Sequence, residues 1–251
     1  GFISRTLADE MNVPLDKRIE TILVNMERCR WVPQQLQRQF ILVNIPDYRL
    51  YVLEKDSLVM SMKVVVGKSQ NKTVVFTGKL QYIVFSPYWN VPASILRKEI
   101  LPAIRRNRHY LAANHMEWHG KSVRQLPGPD NALGRVKFLF PNSHSIYLHD
   151  TPSKSLFESP SRAFSHGCIR IAEPRKLAVY LLRDDPEWPD SCIDQAMNRS
   201  SELTVTLSKP VPVYITYFTS WVSRDGQLQF RKDVYRRDEQ LASLILEKKG
   251  L

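Results

Sequence analysis

Cysteine is scarce in this chain: Cys29, Cys168 and Cys192 are the only three in 251 residues. Three scattered thiols make no disulfide framework, and no CxxC pair is present to seed a zinc knuckle. HExxH is missing too, so His144, His149, His166 and Cys168 are not expected to hold a metal. No run of about 18 apolar residues occurs, so nothing reads as a membrane-spanning helix. There is no internal repeat and no low-complexity tract. Negative charge is short as well, and the net charge is +11. Such a surface suits nucleic acid, anionic lipid or acidic polymers, or plain solubility. Nucleic-acid motifs are absent and the aromatics are not interleaved with the charges, so no nucleic-acid partner is expected.

What is present is an apolar share of 43%, enough for a sizeable core, and one chemically pointed stretch, Ser165-His166-Gly167-Cys168-Ile169-Arg170. Upstream lies Tyr147-Leu148-His149-Asp150-Thr151, with His149 sixteen positions before Ser165. A cysteine nucleophile needs a base, an orienter for that base and donors for the oxyanion. A free thiol titrates near about 8.5, so unaided it is mostly protonated at neutral pH. His149, at the end of an apolar run that reads as a strand, has the fixed direction a base needs. Its other nitrogen can be oriented by the backbone carbonyl or by the carboxylate of Asp150. His166 reads as a loop-shaping or substrate-binding residue. Gly167 lets backbone approach a carbonyl, so N–H groups around Gly167 and Cys168 are the expected oxyanion donors. Ser165 supports the loop through its hydroxyl. Arg170 either grips a carboxylate or braces the loop. Tyr147 shares a strand face with His149 and either orients His149 or the substrate, or packs as a core tyrosine.

This block, with an upstream histidine at that gap, resembles the signature of the YkuD-type L,D-transpeptidases. In that family the motif cysteine is the nucleophile and the upstream histidine the base; carried over, these are Cys168 and His149. The resemblance implies a mainly β protein with α additions, in which a YkuD-type sandwich or barrel-like catalytic core bears an inserted helical lid and flanking helices. It implies no cofactor. A tetrapeptide stem of peptidoglycan would acylate Cys168 and release D-alanine, and the side-chain amine of meso-diaminopimelate on a second stem would take the acyl group, giving a 3→3 cross-link. Transfer to a lipoprotein lysine, plain L,D-carboxypeptidase action and a silent wall-binding module stay open beside it. Carbapenem-type β-lactams are the implied covalent inhibitors, and association with other wall-synthesis enzymes is expected. The chain opens at Gly1 with no start resembling a signal peptide, and is read as a piece of a longer protein exported to the cell envelope or periplasm.

Along the chain, residues 1–38 are expected as a helical scaffold, 39–219 as the catalytic domain and 220–251 as a closing hairpin and helix. In 14–30, Leu15, Ile19, Ile22, Met26 and Cys29 form an apolar stripe. Strands are expected at 40–45, 49–54, 58–66, 74–77 and 80–85, with Gly78 between the last two. The Thr-Pro-x-Gly usual in the family stands here as Val75-Phe76-Thr77-Gly78. In the loop 86–92, Trp89 is either a wall of the substrate cleft or a pin to the core. Residues 93–135 interrupt the strands with a basic helix capped by Ser94, broken or restarted at Pro102, and then a long loop. This resembles the capping subdomain of the larger enterobacterial, YcbB-like members. It reads as a mobile lid or as a solvated basic face. Further strands are expected at 136–140, 145–148, 202–207 and 211–217, and helices at 173–183, 190–198 and 238–248. A hairpin turns at Asp225-Gly226.

Overall fold

The computed structural model describes residues 5–33 and 35–246. In chain order, the helices α1 (Arg5–Met11) and α2 (Leu15–Arg30) precede β1 (Gln39–Asn44), β2 (Arg49–Glu54), β3 (Ser57–Gly67) and β4 (Phe76–Phe85). A smaller unit follows, made of β5 (Trp89–Asn90), α3 (Ala93–Ile95), α4 (Leu101–Arg106), α5 (Tyr110–Ala113), β6 (Met116–His119) and β7 (Ser122–Gln125). The sheet then resumes with β8 (Val136–Leu139), β9 (Leu148–His149), β10 (Ala163–Ser165) and β11 (Ile169–Ile171). α6 (Pro174–Leu182), α7 (Asp190–Ala196), β12 (Leu203–Thr216), the hairpin β13 (Ser220–Val222) and β14 (Leu228–Phe230), and α8 (Asp238–Leu246) complete it.

The order β3-β11-β9-β8-β4-β12-β1-β2, with β2 pairing back onto β3, closes the main sheet into a ring. β10 attaches alongside the end of β3. Alternation produces this shape: β8 reads buried–intermediate–buried–intermediate, and the inward set includes Phe138, Ile83, Leu148 and Ile169, all fully buried. α6 and α7 cover part of the ring through Leu177, Ala178 and Ile193, and Trp188 stacks on Phe85 at 5.4 Å. Pro174 opens α6, where a missing N–H costs nothing.

Several expectations are corrected. The two strands read at 74–85 are one, β4, running through Gly78, where a Cβ would lie 3.1 Å from the Phe140 ring. The two strands read at 202–217 are likewise one, β12, with a register shift between Thr206 and Val211. Strand structure at 145–148 is confined to Leu148–His149. Ser94 lies within a helix rather than at its cap, and Pro102 does not end it. The five residues Leu96–Ile100 widen into a π-turn, which accommodates the hydrogen bond that proline cannot make. The stretch after it is not a loop, because β6 and β7 pair with β5 into a second, three-stranded sheet. That unit has its own apolar centre of Val91, Leu96, Ile100 and Val123.

The apolar stripe expected to seat α2 faces solvent instead: Leu15 is 73% and Met26 61% exposed, and Cys29 is exposed. The buried residues are Val24, Asn25 and Arg28. Asn25 exchanges two hydrogen bonds with Thr219, 2.9 and 2.7 Å, and Arg28 pairs with Asp238 of α8 at 2.7 Å. Specific polar partners, rather than the stripe, set the helix's rotation. The expected end of α8, residues 247 and 248, lies outside the described residues.

Candidate active site

β9 and β11 lie side by side and parallel, with Leu148 opposite Ile169 and His149 opposite Arg170. Ile169 N–H donates to the Tyr147 carbonyl at 3.1 Å, which extends the pairing by one residue. Leu148 and Ile169 point into the core at 0% exposure. The alternation therefore puts Tyr147, His149, Cys168 and Arg170 together on the opposite face. The Tyr147 and His149 rings meet edge-on at 5.6 Å.

His149 is buried, and its Nδ1 donates to the Asp150 carbonyl at 2.5 Å. That fixes the ring and leaves Nε2 as the acceptor nitrogen. The Asp150 carboxylate points elsewhere, accepting from Arg135 N–H at 2.9 Å and pairing with Lys154. Of the two orienters open in the sequence, the carbonyl is therefore the one in use. Gly134 packs against that carboxylate with φ +63°, and a Cβ there would fall 2.4 Å from it. Burial, and next the Arg170 cation, pull the His149 pKa down to about 4.

The Cys168 thiol is pushed up by burial, against hydrogen bonding from Tyr147 and the nearby Arg170 cation. Its hydrogen bond goes to the Ser145 carbonyl at 3.6 Å. Ser145 adopts φ +54° in a turn that Asn142 braces, donating to Phe140 O at 2.6 Å and to Ile146 O at 2.8 Å. At neutral pH the resting pair is thus a thiol and a neutral imidazole, the protonation states from which a base can take a proton.

The turn before the sulfur is tied internally. Ser165 Oγ donates to the Cys168 carbonyl at 2.5 Å and accepts from Gly167 N–H at 3.1 Å. That removes Gly167 N–H from the expected oxyanion donors and leaves Cys168 N–H. Gly167 has φ +120°, which only glycine adopts freely. The Nε of Arg170 is buried with no hydrogen-bond partner among the described residues, so that atom does not brace the loop. His166 is not the imidazole placed on the thiol's sheet face. It is half exposed, and its Nε2 lies 3.5 Å from Glu99 on the π-turn of the smaller unit. Trp89 packs against the apolar centre of that unit rather than the ring's core. His144 stands 5.2 Å from the Phe76 ring, and among the described residues no three His, Cys, Asp or Glu side chains form a metal-holding group.

With this geometry in place, a family model, YkuD: L,D-transpeptidase catalytic domain, matches residues 38–212. The chain belongs to the YkuD family. A Haemophilus influenzae protein bearing the L,D-transpeptidase name is 29% identical over 255 residues, which cover 92% of this chain. The chain spans about half, 51%, of that relative's length. An L,D-transpeptidase structure from Mycobacterium smegmatis is 11% identical, with TM-score 0.40, over 71% of this chain and 58% of that one. The catalytic domain of the Enterococcus faecium L,D-transpeptidase, acylated by ertapenem, is 10% identical, with TM-score 0.35, over 72% of this chain and 99% of that one.

Sequence reasoning missed Glu99, Asn142 and Ser145 as partners of the YkuD site. Each reaches it from a distant element or through a turn, so no local spacing marks it.

Proposed function

We propose that this chain is the catalytic unit of an L,D-transpeptidase that makes 3→3 cross-links between peptidoglycan stems in the cell envelope. The observation that carries this reading is the shared sheet face of Tyr147, His149, Cys168 and Arg170, with His149 held by its neighbour's carbonyl. His149 Nε2 accepts the proton of the Cys168 thiol. The sulfur attacks the carbonyl that joins the L-centre of diaminopimelate to D-alanine, and Cys168 N–H meets the oxyanion. The C–N bond breaks, His149 returns its proton to the leaving amine, and a thioester remains. The side-chain amine of a second stem then attacks, losing a proton to His149 and expelling the thiolate. Arg170, with its buried and unpartnered Nε, suits a stem carboxylate. The smaller unit caps the cleft in the manner of the YcbB-like branch, its exposed Arg97, Lys98, Arg105, Arg106 and Arg108 attracting acidic stems.

Purified disaccharide-tetrapeptides test this reading. Cross-linked dimer with release of D-alanine is the expected product, and Cys168→Ala abolishes it. Tripeptide alone means a carboxypeptidase. No product with stems, but transfer to a lysine peptide, means a lipoprotein-attaching transferase. By the same chemistry a carbapenem acylates Cys168, as ertapenem acylates the Enterococcus faecium domain.

A further inference from the structure

The Gly167 carbonyl is held from behind. Thr73 Oγ1 donates to it at 2.8 Å. No peptide bond among the described residues is cis, and in a trans peptide the C=O and N–H point in opposite directions. Anchoring the Gly167 carbonyl on Thr73 therefore turns the Cys168 N–H away from Thr73. That N–H makes no hydrogen bond among the described residues.

Thr73 is itself closely constrained. It is fully buried, its Oγ1 accepts from Gly67 N–H at 2.9 Å, and its own N–H donates to the Tyr235 hydroxyl at 3.2 Å. The same hydroxyl donates to the Gly67 carbonyl at 2.6 Å. Tyr235 is buried and stacked on Tyr217 at 5.7 Å, and its N–H donates to the Tyr217 hydroxyl at 2.7 Å. Gly67 lies against Asn71, whose carbonyl oxygen would be 2.0 Å from an added Cβ. The threonine hydroxyl thus has its donor and an acceptor role filled, and its backbone is pinned.

We propose that Thr73, anchored by Tyr235, is a positioning residue for acyl transfer: by holding the Gly167 carbonyl it aims the Cys168 amide at the developing oxyanion. This rests on the acyl-transfer reading given above. Tyr235 lies beyond the matched stretch 38–212, so part of the control over the motif comes from outside that stretch.

Two reactions at the same sulfur separate this role from packing. Acylation by imipenem passes through an oxyanion; alkylation by iodoacetamide does not. Both are followed by mass on the Cys168 peptide. Thr73→Val is expected to slow acylation at least tenfold, short of the roughly 10²–10³ for outright loss of a donor, with alkylation within twofold of wild type. Thr73→Ser, which keeps the hydroxyl, restores acylation. Tyr235→Phe keeps the ring and the threonine and slows acylation to an intermediate degree, which carries the comparison if Thr73→Val does not fold. Acylation of the variants at the wild-type rate, or acylation and alkylation falling in parallel, overturns the proposal while leaving the transpeptidase reading intact. Wild-type protein that alkylates at Cys168 yet is never acylated overturns that reading, and this inference with it.

Discussion

At the residue scale the site works through protonation states set by burial. His149 titrates near pH 4 rather than at its ordinary 6.5. Between those values the unfolded chain binds a proton that the folded chain refuses. Stability is therefore fully present above about pH 6.5 and falls as the pH drops toward 4. The size of the effect is on the order of 3 kcal/mol. Urea melts of wild type and His149→Gln across that range are expected to show the extra slope in wild type alone. A neutral base also persists to lower pH, so the acid limb of kcat/KM should lie below pH 6. Cys168 and His149 were legible because the motif puts both on adjacent strands in one short segment, and alternation does the rest. Asp150 shows where legibility stopped: sequence offers its carbonyl and carboxylate alike. Only the fold, by giving the carboxylate to Arg135 and Lys154, leaves the carbonyl for His149.

At the element scale, the unit inserted between β4 and β8 is a body with its own centre, not a loop. Its two ends leave the ring together, since Asn131 Nδ2 donates to the Pro87 carbonyl at 3.0 Å. A short glycine linker can therefore replace residues 89–129. The ring is expected to fold, with a melting temperature within several degrees of the parent, and to keep imipenem acylation of Cys168. Turnover of tetrapeptide stems should fall at least tenfold. Unchanged turnover removes the capping role. The pair Glu99–His166 ties this unit to the nucleophile turn, but both partners are half exposed, so it adds about 0–1 kcal/mol at most. Sequence showed the interruption and its basic face. It hid β5–β7, because strands of two to four residues with mixed polarity carry little period-two signal. Gly78 misled in the other sense, reading as a break where the fold uses its missing side chain to admit Phe140.

At the scale of the whole molecule, helices far apart in the sequence are brought together. α2 and α8 are joined by Arg28 and Asp238, with Asn25 reaching Thr219 just before β13. Arg28→Ala leaves the half-buried Asp238 carboxylate without its cation and should cost about 1–3 kcal/mol. Denaturant melts would register that loss, while Cys168 acylation below the melting temperature stays near wild type. No amphipathic argument finds this clamp. The apolar positions of α2 pointed to the wrong face, and a buried arginine is legible only once its partner, more than 200 residues away, is seen. A sandwich or barrel-like core was legible in outline as a run of short strands. Its closure, through β2 returning to β3, depends on long-range register.

The protonated resting state of Cys168 has one more consequence. Thiolates attack peroxides and disulfides far faster than thiols do. A sulfur that rests as a thiol is less open to oxidants, so this protein should outlast, in air-exposed buffer, a cysteine enzyme whose nucleophile is permanently ionised.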